Sequence, residues 1–210
     1  YRQAKFYLEK IGKLLANKGR VGAREGKAFR AYVSRDVSHL WPGAIYCADG
    51  HTFDAEIAHP IHGKPFRPEV TTIIDVYTRK AVGFSLNIVE STASVMDSLI
   101  HAVTTNGVPD VFYVDNGNGF NNTTVDMFCA RLGITKKNSI AYNSQARGVI
   151  ERLHQTIWVK AAKMLPTYMG KPMDPEAKQK VFHINRREVK QDGRSRLLPD
   201  WQGFIAYCER

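Results

Sequence analysis

A chain of 210 residues, 43% hydrophobic and 24% charged, is long enough to bury one sizeable α/β core and has the mixture of an ordinary globular protein, not of a disordered one. No apolar run approaches the roughly 20 residues of a membrane span, there is no signal-peptide layout at the start, and three widely spaced cysteines (Cys47, Cys129, Cys208) argue against a disulfide framework and fit a reducing cytoplasm. Thirty Lys and Arg against 20 Asp and Glu leave a formal net charge of +10, which calls for a polyanionic partner.

The chain opens at Tyr1, not Met, as expected of a piece of a longer protein. Residues 1–40 hold ten basic side chains against three acidic ones, a local net of +7. Phe6, Tyr7, Leu8, Ile11, Leu14 and Leu15 recur at helical spacing over residues 4–15, and the Gly-rich basic stretch after them, with Arg20, Arg24 and Lys27, reads as a linker. A segment of this charge suits phosphate contacts, and a solvated basic face is the plain alternative.

From Ala44 the pattern becomes β-like. Residues 44–48 lead into Asp49, residues 71–76 are β-rich, and a turn at Thr78-Arg79-Lys80 leads to residues 81–86, which predicts three adjacent antiparallel strands. Ser91 or Thr92 caps a helix with Val95, Met96, Leu99, Ile100 and Val103 inward, and Asn106-Gly107 with Pro109 stops it. A buried strand over residues 111–114 ends at Asp115. Thr123 and Asp126 resemble a capping box for a helix with the stripe Val125, Phe128, Cys129 and Leu132.

Another strand is expected over residues 134–141, then a polar loop and one long helix with Ile150, Leu153, Ile157, Ala161 and Met164 buried. Asp174-Pro175-Glu176 starts a further helix, and Trp201, Phe204, Ile205 and Cys208 mark the last. The order β-β-β-α-β-α-β-α predicts a mixed five-stranded sheet flanked by helices. Three regions are expected: a basic N-terminal segment (1–40), a catalytic core (41–170) and a C-terminal helical extension (171–210).

Asp49 late in the first strand, Asp115 at the end of the fourth and Glu151 on the third helix are carboxylates that such a fold brings together. Hard oxygen donors of this kind suit Mg²⁺ or Mn²⁺, and two such ions about 4 Å apart serve both the attacking and the leaving oxygen of a phosphodiester displacement. Asp75, in the apolar run Ile73-Ile74-Asp75-Val76, is the competing strand acid and is read as paired with Arg79 or another base. Asp54 and Glu56 are expected farther from the strand centre or on an exposed edge. His51, His59 and His62 invite a metal reading, which a Pro- and Gly-containing loop without a cysteine partner disfavours.

Val114-Asp115-Asn116-Gly117, followed by residues 142–152 ending in Gly148-Val149-Ile150-Glu151-Arg152, resembles the second and third signatures of the retroviral-integrase superfamily of DDE recombinases, and 35 residues separate the aspartate from the glutamate. Ala48-Asp49-Gly50-His51, Phe66-Arg67-Pro68 and Asp75 to Gly83 look like the core of the bacteriophage Mu-type transposases.

The resemblance implies an RNase H-like fold and an acidic triad of Asp49, Asp115 and Glu151 holding two Mg²⁺ or Mn²⁺ ions. It also implies nicking and strand transfer on double-stranded DNA by a homo-multimer, in the cytoplasm of a prophage-bearing bacterium. The Mu-type enzymes carry a longer insertion before the glutamate. The lysines that integrases place four and seven residues after it are here Gln155 and Trp158, so phosphate contacts are expected from Arg147, Arg152, Lys160 and Lys163. A purely hydrolytic nuclease of the same fold and a catalytically silent DNA-binding regulator or assembly subunit are the competing readings.

Overall fold

The computed structural model describes residues 2–11, 15, 17–22, 37–138 and 148–210. Two compact units emerge, Tyr1–Asp36 and Val37–Arg210. In the first, the apolar spacing produces helix α1 (Arg2–Lys10), on which Phe6 and Tyr7 remain exposed.

The second unit is built on five strands, β1 (Ile45–Thr52), β4 (Glu69–Asp75), β5 (Ala81–Asn87), β6 (Val111–Val114) and β7 (Thr135–Asn138), with a separate two-stranded ribbon of β2 (Ile57–Ala58) and β3 (Pro65–Phe66). The sheet order is β5-β4-β1-β6-β7. β5, β4 and β1 run antiparallel as expected, while β6 and β7 join in parallel. Residues 139–141 of the last expected strand, and the polar loop through Arg147, lie outside the described residues.

The strand period of two divides the core between the faces of the sheet. Tyr46 and Ala48 of β1, with Ile73, Phe112 and Val114, pack under α2 (Thr92–Asn106) and α3 (Thr123–Arg131) through Val95, Leu99, Val125 and Cys129. Cys47 and Ile74 face the other way, onto Ile150 and Leu153 of α4 (Gly148–Thr156). Phe53, Ile57 and Val70 meet Trp158 and Ala162 of α5 (Trp158–Lys163) and Phe204 of α7 (Trp201–Cys208).

Several helices differ in detail from expectation. Ser91 caps α2 through a reciprocal bond with Ser94, but the buried face is Ser94, Val95, Ser98, Leu99 and Ala102, with Ile100 turned outward. The reason is Gly83 on β5: a Cβ there would lie 2.5 Å from the Ser98 carbonyl oxygen and 2.8 Å from Ala102 Cβ, so small residues must seat the helix.

The cap of α3 is Asn122, whose side chain accepts from the Val125 N–H, not a Thr123 box. The expected long helix is two, because the chain turns at Ile157 (φ −99°, ψ −72°). That turn buries Trp158 and leaves Met164 exposed.

The C-terminal helices belong to the same unit. Helix α6 (Pro175–Asp192) starts at the Asp174 cap with Pro175 first. Its Asn185 and Arg186 bond the buried Glu56 carboxylate at 3.0 and 2.9 Å. Glu56 is therefore a buried structural anion, not an edge carboxylate.

Candidate active site

β1 and β6 are parallel neighbours in the register Ile45↔Val111, Tyr46↔Phe112, Cys47↔Tyr113. Continued by two residues, that register sets Asp49 opposite Asp115, and both are half-buried. β1 runs on to Thr52, so Asp49 lies within the strand.

Alternation gives the two aspartates the face of Cys47 and Tyr113, which is the face α4 covers with Ile150 and Leu153. A second contact fixes the same side: Thr72, the cross-strand partner of Asp49, accepts a 2.7 Å hydrogen bond from Trp158 Nε1 on α5. Glu151, one residue beyond the fully buried Ile150, is in the first turn of α4 and exposed. The fold thus sets the two aspartates across adjacent strands and lays the Glu151 helix over their side of the sheet.

Among the described residues, no three His, Cys, Asp or Glu side chains are gathered closely enough to hold a metal ion. Three carboxylates at ligand distance from one point repel unless a cation neutralises them.

The Asp-Asn-Gly run has a definite geometry. Asp115 Oδ1 accepts the Gly117 N–H at 2.8 Å, and the Phe120 and Asn121 N–H groups return to the Gly117 carbonyl. Phe120 is buried in the core.

The sequence reading passes over Glu90. Its carboxyl lies above three glycines: a Cβ at Gly50, Gly117 or Gly119 would come within 3.6, 3.5 and 3.4 Å of it. Partial burial, then the charges of Asp115 and Glu69, raise the Glu90 carboxyl above the usual range. A negative field that burdens a neighbouring acid suits a hard cation, and the oxygen-only donors of Asp49 and Asp115 fit Mg²⁺ or Mn²⁺. The available signal for Glu90 was the pair of glycines after Asp115.

The other acids have structural partners. Asp75 is buried and accepts the Gly43 and Tyr77 N–H groups at 3.2 and 2.9 Å instead of pairing with Arg79, and Asp54 bonds Arg67 at 2.6 Å. Of the expected phosphate-contacting residues, Arg152, Lys160 and Lys163 are exposed on α4 and α5, and Arg20 is exposed in the N-terminal unit. Arg24, Lys27 and Arg147 lie outside the described residues.

Residues 44–144 match the integrase core domain family. The chain is 30% identical over 109 residues to the Gag-Pro-Pol polyprotein of squirrel monkey retrovirus, a match covering 50% of the chain and 6% of that protein. It is 28% identical over 138 residues to the transposase of transposon Tn552 from Staphylococcus aureus, covering 61% of the chain and 28% of the transposase. The chain thus spans well under a third of either curated relative.

A solved chain of the simian T-cell lymphotropic virus intasome, in complex with PP2A regulatory subunit B56 gamma, aligns with TM-score 0.54 at 19% identity over 87% of this chain and 68% of that one. The mixed sheet flanked by helices is the RNase H-like architecture of integrase catalytic cores. The sequence similarity is thus to an integrase core domain and to a transposase. No helix among the described residues is long and apolar enough to cross a membrane.

Proposed function

We propose that the chain is the catalytic core of a Mu-type DNA transposase, which nicks donor DNA to expose 3′ ends and transfers them into target DNA by in-line phosphoryl transfer. The observation that carries this reading is the register of β1 against β6, which sets Asp49 across from Asp115 on the side covered by the Glu151 helix, within a stretch that matches integrase cores. In this reading Asp49, Asp115 and Glu151 would hold two Mg²⁺ or Mn²⁺ ions. Bound there, the ions supply activation of the attacking hydroxyl and stabilisation of the leaving oxygen.

The chain's own residues do the rest. The Gly117 N–H orients the Asp115 carboxylate, and the packing of Ile150 and Leu153 on Cys47 sets the rotation of α4 and so the side on which Glu151 emerges. Exposed Arg152, Lys160 and Lys163 hold phosphates, and Arg20, Arg24, Lys27 and Arg147 are further candidates for phosphate contact. The partner is double-stranded DNA, both element ends and target, engaged by a homo-multimer in the cytoplasm of a prophage-bearing bacterium.

The test is a nicking and strand-transfer assay with the protein, Mg²⁺ or Mn²⁺ and linear duplex carrying the element's ends. Asp49→Asn, Asp115→Asn and Glu151→Gln should each lower both products by about 10³-fold or more while DNA binding persists. Turnover retained by Glu151→Gln would show that the wrong carboxylate was chosen. Wild-type protein that binds DNA without turnover would favour the silent DNA-binding subunit.

A further inference from the structure

The fold divides the three histidines that the sequence groups. His59 and His62 stack at 3.8 Å between β2 and β3, and each accepts a backbone N–H on Nδ1, from Ile61 and Lys64, both at 3.2 Å. In the neutral rings the proton therefore sits on Nε2, which leaves no lone pair for a metal.

His51 instead meets His154. His51 follows Asp49 by two residues on β1 and so shares its face, and His154 follows Glu151 by three on α4. The ring centroids are 5.1 Å apart with planes inclined by 35°. His154 is only 6% exposed. The same atom, Nε2, is buried on both rings and has no hydrogen-bond partner among the described residues. Two buried ring nitrogens left without a partner on adjacent rings leave hydrogen-bonding capacity that a shared guest would satisfy, since buried polar groups are otherwise satisfied.

We propose that His51 and His154 bind one borderline transition-metal ion, of which Zn²⁺ is the representative, through their Nε2 atoms, clamping α4 to β1 beside the acidic pair. Two imidazoles on one tetrahedral ion, with Zn–N bonds of about 2.0–2.1 Å, have ring centroids about 5 Å apart, the separation seen here. Imidazole nitrogen selects Zn²⁺ and its neighbours in the series, whereas Mg²⁺ prefers the carboxylates. The two sites are therefore chemically distinct although close. Water completes the coordination, and the negative charges of Asp54 and Glu69 act on His51, opposed by Arg67. The ion fixes the helix that carries Glu151 against the strand that carries Asp49 without using either carboxylate.

The experiment strips the full chain with chelator, saturates it with millimolar Mg²⁺, and titrates it with Co²⁺ as an optical probe and Zn²⁺ by calorimetry. One ion per chain is expected, with the visible absorption of low-coordinate Co²⁺. His51→Asn and His154→Asn should each weaken binding at least about tenfold, while Asp49→Asn and Glu151→Gln retain it. Zn²⁺ should also raise the wild-type melting temperature under saturating Mg²⁺, a measurement that needs no variant to fold.

Wild-type protein indifferent to Zn²⁺ in calorimetry and melting would mean that the pair encloses only water, and the proposal falls. It falls equally if both histidine variants keep the ion, or if the carboxylate variants lose it instead. These outcomes do not depend on catalysis, so they stand apart from the fate of the transposase reading.

Discussion

At residue 117 one glycine serves the Asp115 carboxylate twice. Its N–H bonds Asp115 Oδ1 at 2.8 Å, and a Cβ there would stand 2.9 Å from the same oxygen. Gly117→Ala must therefore displace the Asp115 side chain while the core beneath stays intact. The expected result is a loss of metal-dependent activity of at least about tenfold with little change in melting temperature; unchanged turnover would mean that Asp115 is not where the chemistry occurs. Glu90→Gln removes a charge that opposes Asp115. It should raise the melting temperature slightly in chelator and raise the Mg²⁺ concentration needed for half-maximal activity, because the cation then meets a weaker negative field. Activity independent of Glu90 at every Mg²⁺ concentration would exclude that influence. Asp75→Asn, by contrast, leaves two part-buried backbone donors with one fewer acceptor. It should cost about 1–3 kcal/mol of stability in urea titrations and leave activity per folded molecule unchanged.

Packing of one element on another sets the next constraint, and His154 reports on it through pH. Burial first, and His51 second, push the His154 imidazole down to about 4 from its ordinary 6.5. Between those values the unfolded chain binds a proton that the folded chain refuses, so this contribution to stability is full above the unfolded value and is lost as pH falls towards the folded one. In chelator, unfolding free energy should drop across that window by up to about 3 kcal/mol, and His154→Asn should flatten the drop; an equal slope in the variant would assign it to other groups. β1, β4, β5 and the Ser91 cap are legible in the sequence because alternation and side-chain capping are local physics. The inward turn of Ser98 and Ala102 in place of Ile100 is not, since it depends on Gly83 approaching from a different strand. The turn at Ile157 likewise follows from a tertiary bond, Trp158 to Thr72, that spacing along one helix does not encode. Asp49, within the first strand, and Asp115, just past the end of another, can be read from the strand pattern and the motifs around them. Glu90 and the His51–His154 pair arise only when separate segments fold against each other.

On the scale of the whole molecule, charge and compactness are distributed differently. Val37–Arg210 forms one compact unit by itself, with its cores spread over both faces of the sheet and its helix α6 tied in through Glu56 and Arg186. Residues 1–40 carry +7 of a total formal charge of +10, although the compact N-terminal unit Tyr1–Asp36 is far the smaller. Removing residues 1–36 should therefore leave a folded protein with an unchanged urea midpoint but take away most of the electrostatic attraction to a duplex. Each phosphate that a basic side chain neutralises contributes about 0.9 to the slope of log K against log salt. The truncated protein should bind random-sequence duplex more weakly at low salt, and its slope should be shallower by about 0.9 for every phosphate no longer neutralised. Because bonds to the DNA backbone carry no base information, the ratio of affinities for element-end and random duplex should survive the truncation. An unchanged slope would make the N-terminal segment a solvated appendage, and a collapse of that ratio would show that residues 1–36 read sequence as well as phosphate.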